Sequence, residues 1–327
     1  MLKVLTWLYS KIINLRNILY DKSILPTFKS NLPVISIGNI SIGGTGKTPL
    51  VRYLCLELKK QNLKPVVLTR GYKGSIYGPH LVSKADSHLE VGDEPLLIWE
   101  TAKVPVVIAK KRVAGALFIE ENNLGNIIIL DDGLQHRSLK RDIDIICIDA
   151  SSSQSLDNFF KGKVIPSGNL REPLKHALKR SNALVFSMRQ LSQEAPDYIK
   201  KHYSYLPDNL DKFISKLINP HIKRGSEKLT AQAVTAFCGI ANPEAFRKTL
   251  DQLGFEVTEF ISFRDHHNFS KTELEKLSDI ASKTPLVCTG KDFVKLPDSI
   301  KQKVYCLEFD LEVNPNLLKL IKPNSGY

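Results

Sequence analysis

A chain of 327 residues with 43% apolar side chains is long enough to bury one large α/β domain or two packed ones. Its 46 Lys and Arg against 34 Asp and Glu leave a net charge of +12, which points to an anionic partner without choosing among nucleic acid, membrane surface and phosphorylated substrate. Cysteines at 55, 147, 238, 288 and 306 are odd in number and widely spaced, which argues against a disulfide framework or zinc site and for reduced core thiols in the cytosol.

The first predicted element is a basic amphipathic helix within residues 1–25, with Leu5, Leu8, Ile12, Leu15 and Leu19 on one face. Lys3, Lys11, Arg16 and Lys22 interrupt it too often for a membrane span of ~20 apolar residues, and no small-residue cleavage site follows. Trp7, Tyr9 and Tyr20 fit a helix lying in an anionic leaflet. The alternative is a helix that docks its apolar stripe on its own domain, and the segment alone leaves both open.

From residue 33 onward, "PVISIG" (33–38), "PVVLTR" (65–70), "VPVVIA" (104–109), "NIIILDD" (126–132), "IDIICIDA" (143–150) and "ALVFS" (183–187) alternate with helix-sized segments. Such continuous apolar runs predict parallel strands covered on both faces, hence an α/β fold of the P-loop NTPase type with a doubly wound, mostly parallel sheet over 26–205. A polar, Lys-rich stretch with no helical period is expected as a linker over 206–230. A second, smaller α/β domain is expected over 231–327, from "AQAVTAFC" through helices near 243–253 and 271–283 to "TPLVCTG" and "KVYCLEFD".

After the first strand comes "SIGGTGKT" (41–48), one residue short of G-x-x-x-x-G-K-[ST] because Ser41 replaces the first glycine. Backbone N–H groups do the work in such a loop, and Gly43, Gly44 and Gly46 are expected to supply close approach and positive φ just before a helix N-terminus. Ser41, Ile42 and Thr45 complete the predicted nucleotide loop. Lys47 fits the lysine that reaches the β- and γ-phosphates of ATP, and Thr48 the hydroxyl that ligates Mg²⁺. Asp131 and Asp132, at the carboxyl end of "IIILDD", are the candidate metal carboxylates, the alternative being a turn before Gly133.

Several further stretches fall in a telling order: "RGYKG" (70–74), "GDEP" (92–95), "DDGLQH" (131–136), "SGNLREP" (167–173), "GIANPEAF" (239–246), "FRDHH" (263–267) and "TGKDFVKL" (289–296). With "GNISIGGTGKTP" (38–49), the set resembles the tetraacyldisaccharide 4′-kinase family of lipid A synthesis from the N-terminal helix to about residue 310. In that family a serine or threonine at the loop's first position is usual. The resemblance implies transfer of the ATP γ-phosphate to the 4′-hydroxyl of an acylated glucosamine disaccharide 1-phosphate, giving lipid IVA. It also implies work at the cytoplasmic face of the inner membrane, which favours peripheral contact of the N-terminal helix with anionic lipid.

On the same resemblance Asp93 matches the family's proposed base and His266 its partner, the two meeting across an interdomain cleft. For Asp93 the alternative is an N-cap, and for His266 a surface histidine in a polar turn. Arg112 and Arg171 match positions thought to meet phosphate. Glu172 matches a possible Mg²⁺ contact, against an exposed ion pair with Arg171. Gln135, His136 and Tyr72 are expected near nucleotide or acceptor, and Lys73 stands where relatives often have glycine. Lys291 and Asp292 are adjacent, so a guanine-reading Asn-Lys-x-Asp motif is not supported. A partition-type ATPase switch without a lipid acceptor is the alternative function. No nucleic acid partner is expected, because the basic residues are dispersed rather than interleaved with aromatics, and no obligate protein partner is inferred.

Overall fold

The protein is described from a computed structural model over residues 2–188 and 197–321; Met1, 189–196 and 322–327 of the spans above lie outside the described residues. Among the described residues thirteen strands join in one sheet. In chain order they are β1 (Val34–Gly38), β2 (Pro65–Thr69), β3 (His80–Leu81), β4 (Val106–Ile108), β5 (Ile127–Asp131), β6 (Ile143–Asp149), β7 (Ala183–Met188), β8 (Asp211–Arg224), β9 (Glu227–Lys228), β10 (Ala233–Cys238), β11 (Glu256–Ser262), β12 (Leu286–Thr289) and β13 (Val304–Val313). Their spatial order is β11-β10-β12-β13-β8-β7-β6-β1-β5-β2-β4-β3, with β9 beside β8. All neighbours run parallel except β3 with β4, β9 with β8, and β13 with β8.

The apolar runs are strands because both faces of the sheet are covered. Along β1, Ile35 and Ile37 pack with Leu50, Leu54 and Leu58 of helix α2 (Lys47–Lys60 by position, numbered after the N-terminal helix α1, Leu2–Asp21). Val34 turns to the opposite face with Leu68, Val107 and Leu130. Each fully buried leucine contributes about 1.5–3 kcal/mol, which fixes α2, and with it the preceding loop, on the sheet.

The stretch expected as a linker is largely a strand. β8 pairs parallel with β7 through 211–216 and antiparallel with β13 through 215–223, so it is the seam that fuses the two halves of the sheet. Its pattern was unreadable as a strand because only part of one face is buried, because Pro220 interrupts it, and because Asn219 takes φ 49° beside an irregularity in the ladder.

Helix α1 docks opposite to the docked alternative. Its polar side faces the protein: Tyr9 Oη donates to Arg171 O at 2.8 Å, Arg16 Nη2 to Gln135 O at 2.7 Å, and Arg137 Nη1 to Asn17 O at 3.0 Å. Leu5, Leu8, Ile12 and Leu15 are instead exposed, with Trp7 among them. Among the described residues no helix is long and apolar enough to cross a membrane.

Candidate active site

The loop after β1 is pinned at its start and free at its end. Ser41 is buried and bridges Leu170, while Ile42 N–H donates to Asn169 O at 2.8 Å, so the non-glycine position belongs to the anchor rather than to the cradle. Gly43 (φ 106°) and Gly46 (φ 79°) take the left-handed backbone, but Gly44 does not, contrary to expectation. A side chain at 46 would also collide with the Ser187 hydroxyl. Gly46 is the N-cap of α2, and no side chain caps that end, which leaves the first-turn N–H groups for an anion. Thr45 Oγ1 is buried without a partner.

Facing this loop, β5 runs beside β1 with Asp131 level with Ile37. Asp131 Oδ2 accepts from Thr69 Oγ1 at 3.1 Å, while its Oδ1 is buried with no partner. Burial, then repulsion from Glu94, pushes this carboxyl up to about 6. Asp132 differs: burial raises it, but Lys47 and Arg171 outweigh that and hold it below the usual carboxylate range. Lys47 Nζ lies 3.4 Å from Asp132 Oδ1 and Arg171 Nη1 3.1 Å from Oδ2. An orphaned, buried carboxylate oxygen in the cleft that Thr48 also lines is an oxygen donor of the kind Mg²⁺ takes. No group of three or more His, Cys, Asp or Glu suited to a metal occurs among the described residues.

Two of the expected phosphate and metal contacts sit differently. Glu172 is buried rather than exposed, and its partner is Arg180 (2.6 Å), not Arg171; Gln135 donates to the same oxygen at 3.1 Å. Both bonds fall on Oε1, and Oε2 accepts only a 3.4 Å bond from Asn17 Nδ2. Arg112, the first residue of helix Arg112–Glu121, is 2% exposed and lies outside the cleft lining. Its Nη1 donates to Ala109 O at 2.6 Å, and its Nε and Nη2 have no partner. Burial lowers it to about 10, against the pull of Asp131 and Asp132, so it stays cationic at neutral pH. The same cation, after burial, drives His136 down to about 4.

Opposite the loop, Asp93 opens helix Asp93–Ala102, and Gly92 is the N-cap. Asp93 Oδ1 accepts the Glu94 N–H at 3.0 Å, and its Oδ2 lies 2.7 Å from His266 Nδ1. His266 is therefore no free surface histidine: it takes φ 59° and presents its ring to Asp93, with Tyr72 edge-on at 6.2 Å. Lys73 also takes a left-handed φ of 63°, the backbone that glycine adopts without strain. Lys291 pairs with Glu94 at 2.7 Å. The cleft enclosed is about 2900 Å³ and runs from Tyr9 and Arg16 past Lys47 and Asp132 to His266 and Lys291. Sequence reasoning missed Arg180 and Asn17, which hold Glu172, because neither spacing nor motif links them to it.

Comparison with known proteins gives the chain's relatives. The profile of the Tetraacyldisaccharide-1-P 4′-kinase (LpxK) family matches residues 1–324. The tetraacyldisaccharide 4′-kinase of Aquifex aeolicus is 36% identical over 323 residues, covering 97% of this chain and 96% of that one. That of Psychromonas ingrahamii is 34% identical over 328 residues, covering 97% and 94%. A crystal structure of LpxK from Aquifex aeolicus in complex with ATP superposes with a TM-score of 0.77 at 33% identity, over 97% of this chain and 96% of that one.

Proposed function

The chain belongs to the tetraacyldisaccharide 4′-kinase family and phosphorylates the 4′-hydroxyl of its lipid disaccharide with ATP in lipid A biosynthesis, and we propose that Asp93, oriented by His266, takes the proton of that hydroxyl. The ATPase-switch alternative falls with that membership. The observation that supports the Asp93 role is the 2.7 Å contact with His266, made between a helix start and a turn 173 residues apart. Phosphoryl transfer asks the protein mainly for positioning, charge neutralisation and an acceptor for the alcohol proton. Asp93 Oδ1 and Oδ2 each accept one hydrogen bond already, which fixes the carboxylate and leaves a second lone pair on either oxygen for the incoming proton. His266 then steadies the carboxylate or shares that proton.

Lys47 and Arg171, both now on Asp132, are the cations placed for the β- and γ-phosphates. Arg112, buried off the cleft lining within electrostatic reach of Asp131 and Asp132, adds positive potential to the site. Gly43 to Thr48 wrap the triphosphate through main-chain N–H groups, while Ser41 and Ile42 anchor the start of the loop. Thr48, Asp131 and Asp132 would hold Mg²⁺, which when bound would neutralise the negative charge of the phosphates. The lipid acceptor, an acylated glucosamine disaccharide 1-phosphate, is reached from the membrane surface: the exposed apolar stripe of α1 lies in the anionic cytoplasmic leaflet of the inner membrane.

The test is transfer of ³²P from Mg·ATP to the disaccharide 1-phosphate. Asp93→Ala is expected to lower kcat by about 100- to 10,000-fold with ATP binding intact by calorimetry. Near-normal turnover of that variant would remove Asp93 as the base.

A further inference from the structure

Behind His266 lies an acidic group that the transfer chemistry does not itself use. Asp292 and Lys295 form an ion pair whose side chains are 0% and 1% exposed, Nζ standing 3.1 Å from Oδ1. Desolvating both ions makes such a pair break even at best against apolar residues of similar volume, so stability alone does not account for it. Its remaining contacts indicate what it holds. Asp292 Oδ2 accepts the Thr289 hydroxyl at 2.7 Å and the Gly239 N–H at 3.0 Å. Gly239 O in turn accepts the His266 N–H at 3.1 Å.

Gly239 is thus clamped between carboxylate and histidine turn. A Cβ there would lie 3.1 Å from Asp292 Oδ1 and 3.1 Å from Arg264 O. The clamp matters because His266 has φ 59°, a strained backbone for a non-glycine residue that persists only where the surroundings over-determine it. Two further bonds secure the same turn: His267 N–H to Arg264 O at 3.0 Å, and His267 Nε2 to the Glu273 carboxylate at 3.1 Å.

We propose that Asp292, locked by Lys295, is a positioning residue for the kinase reaction: through Gly239 it sets the His266 turn at the distance where the imidazole meets Asp93. The proposal rests on the Asp93–His266 reading above. Asp292→Asn keeps the shape but removes one charge, so a carboxylate oxygen facing Gly239 or Lys295 becomes an amide donor. A misplaced imidazole is expected to lower kcat by about 10- to 100-fold, while KM for ATP stays within about twofold, because the phosphate loop lies on the other half of the sheet.

The deciding measurement is a kinetic cycle of Asp292→Asn and His266→Ala, with melting temperatures recorded for each. If Asp292 acts through His266, adding Asp292→Asn to His266→Ala lowers kcat by less than about twofold further. Wild-type kcat in Asp292→Asn, or an undiminished loss in the His266→Ala background, overturns the positioning role. Wild-type kcat in His266→Ala is a different result: it overturns the dyad itself. Should Asp292→Asn fail to fold, Gly239→Ala keeps both Asp292 and Lys295 but presses a methyl against Asp292 Oδ1, and the same outcomes decide.

Discussion

Asp131 and Asp132 are neighbours with opposite electrostatics. Burial and Glu94 push Asp131 up to about 6, whereas the cations around Asp132 hold it low. The difference follows from which side chain points at Lys47 and Arg171, and it divides the labour: Asp132 orders the cations, and Asp131 keeps an unspent oxygen. His136 carries the matching effect on a base. Burial, then Arg112, depresses it from 6.5 to about 4. Below 6.5 the unfolded chain takes up a proton that the folded protein refuses until about 4, so acidification through that window favours unfolding, and above 6.5 the effect vanishes. At about 1.4 kcal/mol per unit, and discounting for partial exposure, lowering the pH from 7.5 to 5 should cost the wild type on the order of 1–2 kcal/mol more than His136→Gln. Urea unfolding of both proteins at the two pH values measures it. Equal losses would mean that the imidazole is protonated in the fold.

At the scale of elements, α1 presents hydrophobic side chains outward while hydrogen bonds from Tyr9, Arg16 and Asn17 tie it to the catalytic body. Replacing Leu8 and Ile12, 49% and 59% exposed, by glutamate should leave the melting temperature near wild type. At about 1.5–3 kcal/mol for each side chain buried in lipid, sedimentation with phosphatidylglycerol vesicles should weaken by roughly 100-fold or more. Vesicle binding that survives the double substitution would leave α1 only its docking role. The helix was legible in the sequence, but the direction it faces was not, because the moment is the same for a lipid surface and for a protein core. The strands show the same division. Fully covered strands such as β1 and β5 read as apolar runs, whereas two-residue β3, half-exposed β8 and largely exposed β11 carry no such pattern. The phosphate loop was legible because its chemistry is local. Asp93 and His266 had to come from resemblance, since no spacing rule joins residues so far apart.

At the scale of the molecule, one continuous sheet carries a cleft whose walls belong to different ends of the chain. β8 joins the two halves of the sheet, and side chains of the helix Asp93–Ala102 cross between them as well: Glu94 meets Lys291 and Glu100 meets Lys301, each at 2.7 Å, while Asp93 meets His266. The three acids lie on one helix and their partners on the other half, so the two ion pairs flank the proposed Asp93–His266 contact. Lys301 and Glu100 are 16% and 24% exposed, enough for water to screen them, and an exposed pair contributes only about 0–1 kcal/mol. That is small for stability but sufficient to shift a closing equilibrium a few-fold. Glu100→Lys, which sets like charges face to face, should therefore lower kcat/KM for ATP by about two- to tenfold, with a slope that flattens in high salt. Adding Lys301→Glu restores an attractive pair in reversed order and should recover most of the loss, giving a coupling of about 0.5–1 kcal/mol in the double-mutant cycle. Strictly additive losses would show that the cleft closes without help from this pair, and that Asp93 and His266 find each other through the packing of the sheet alone.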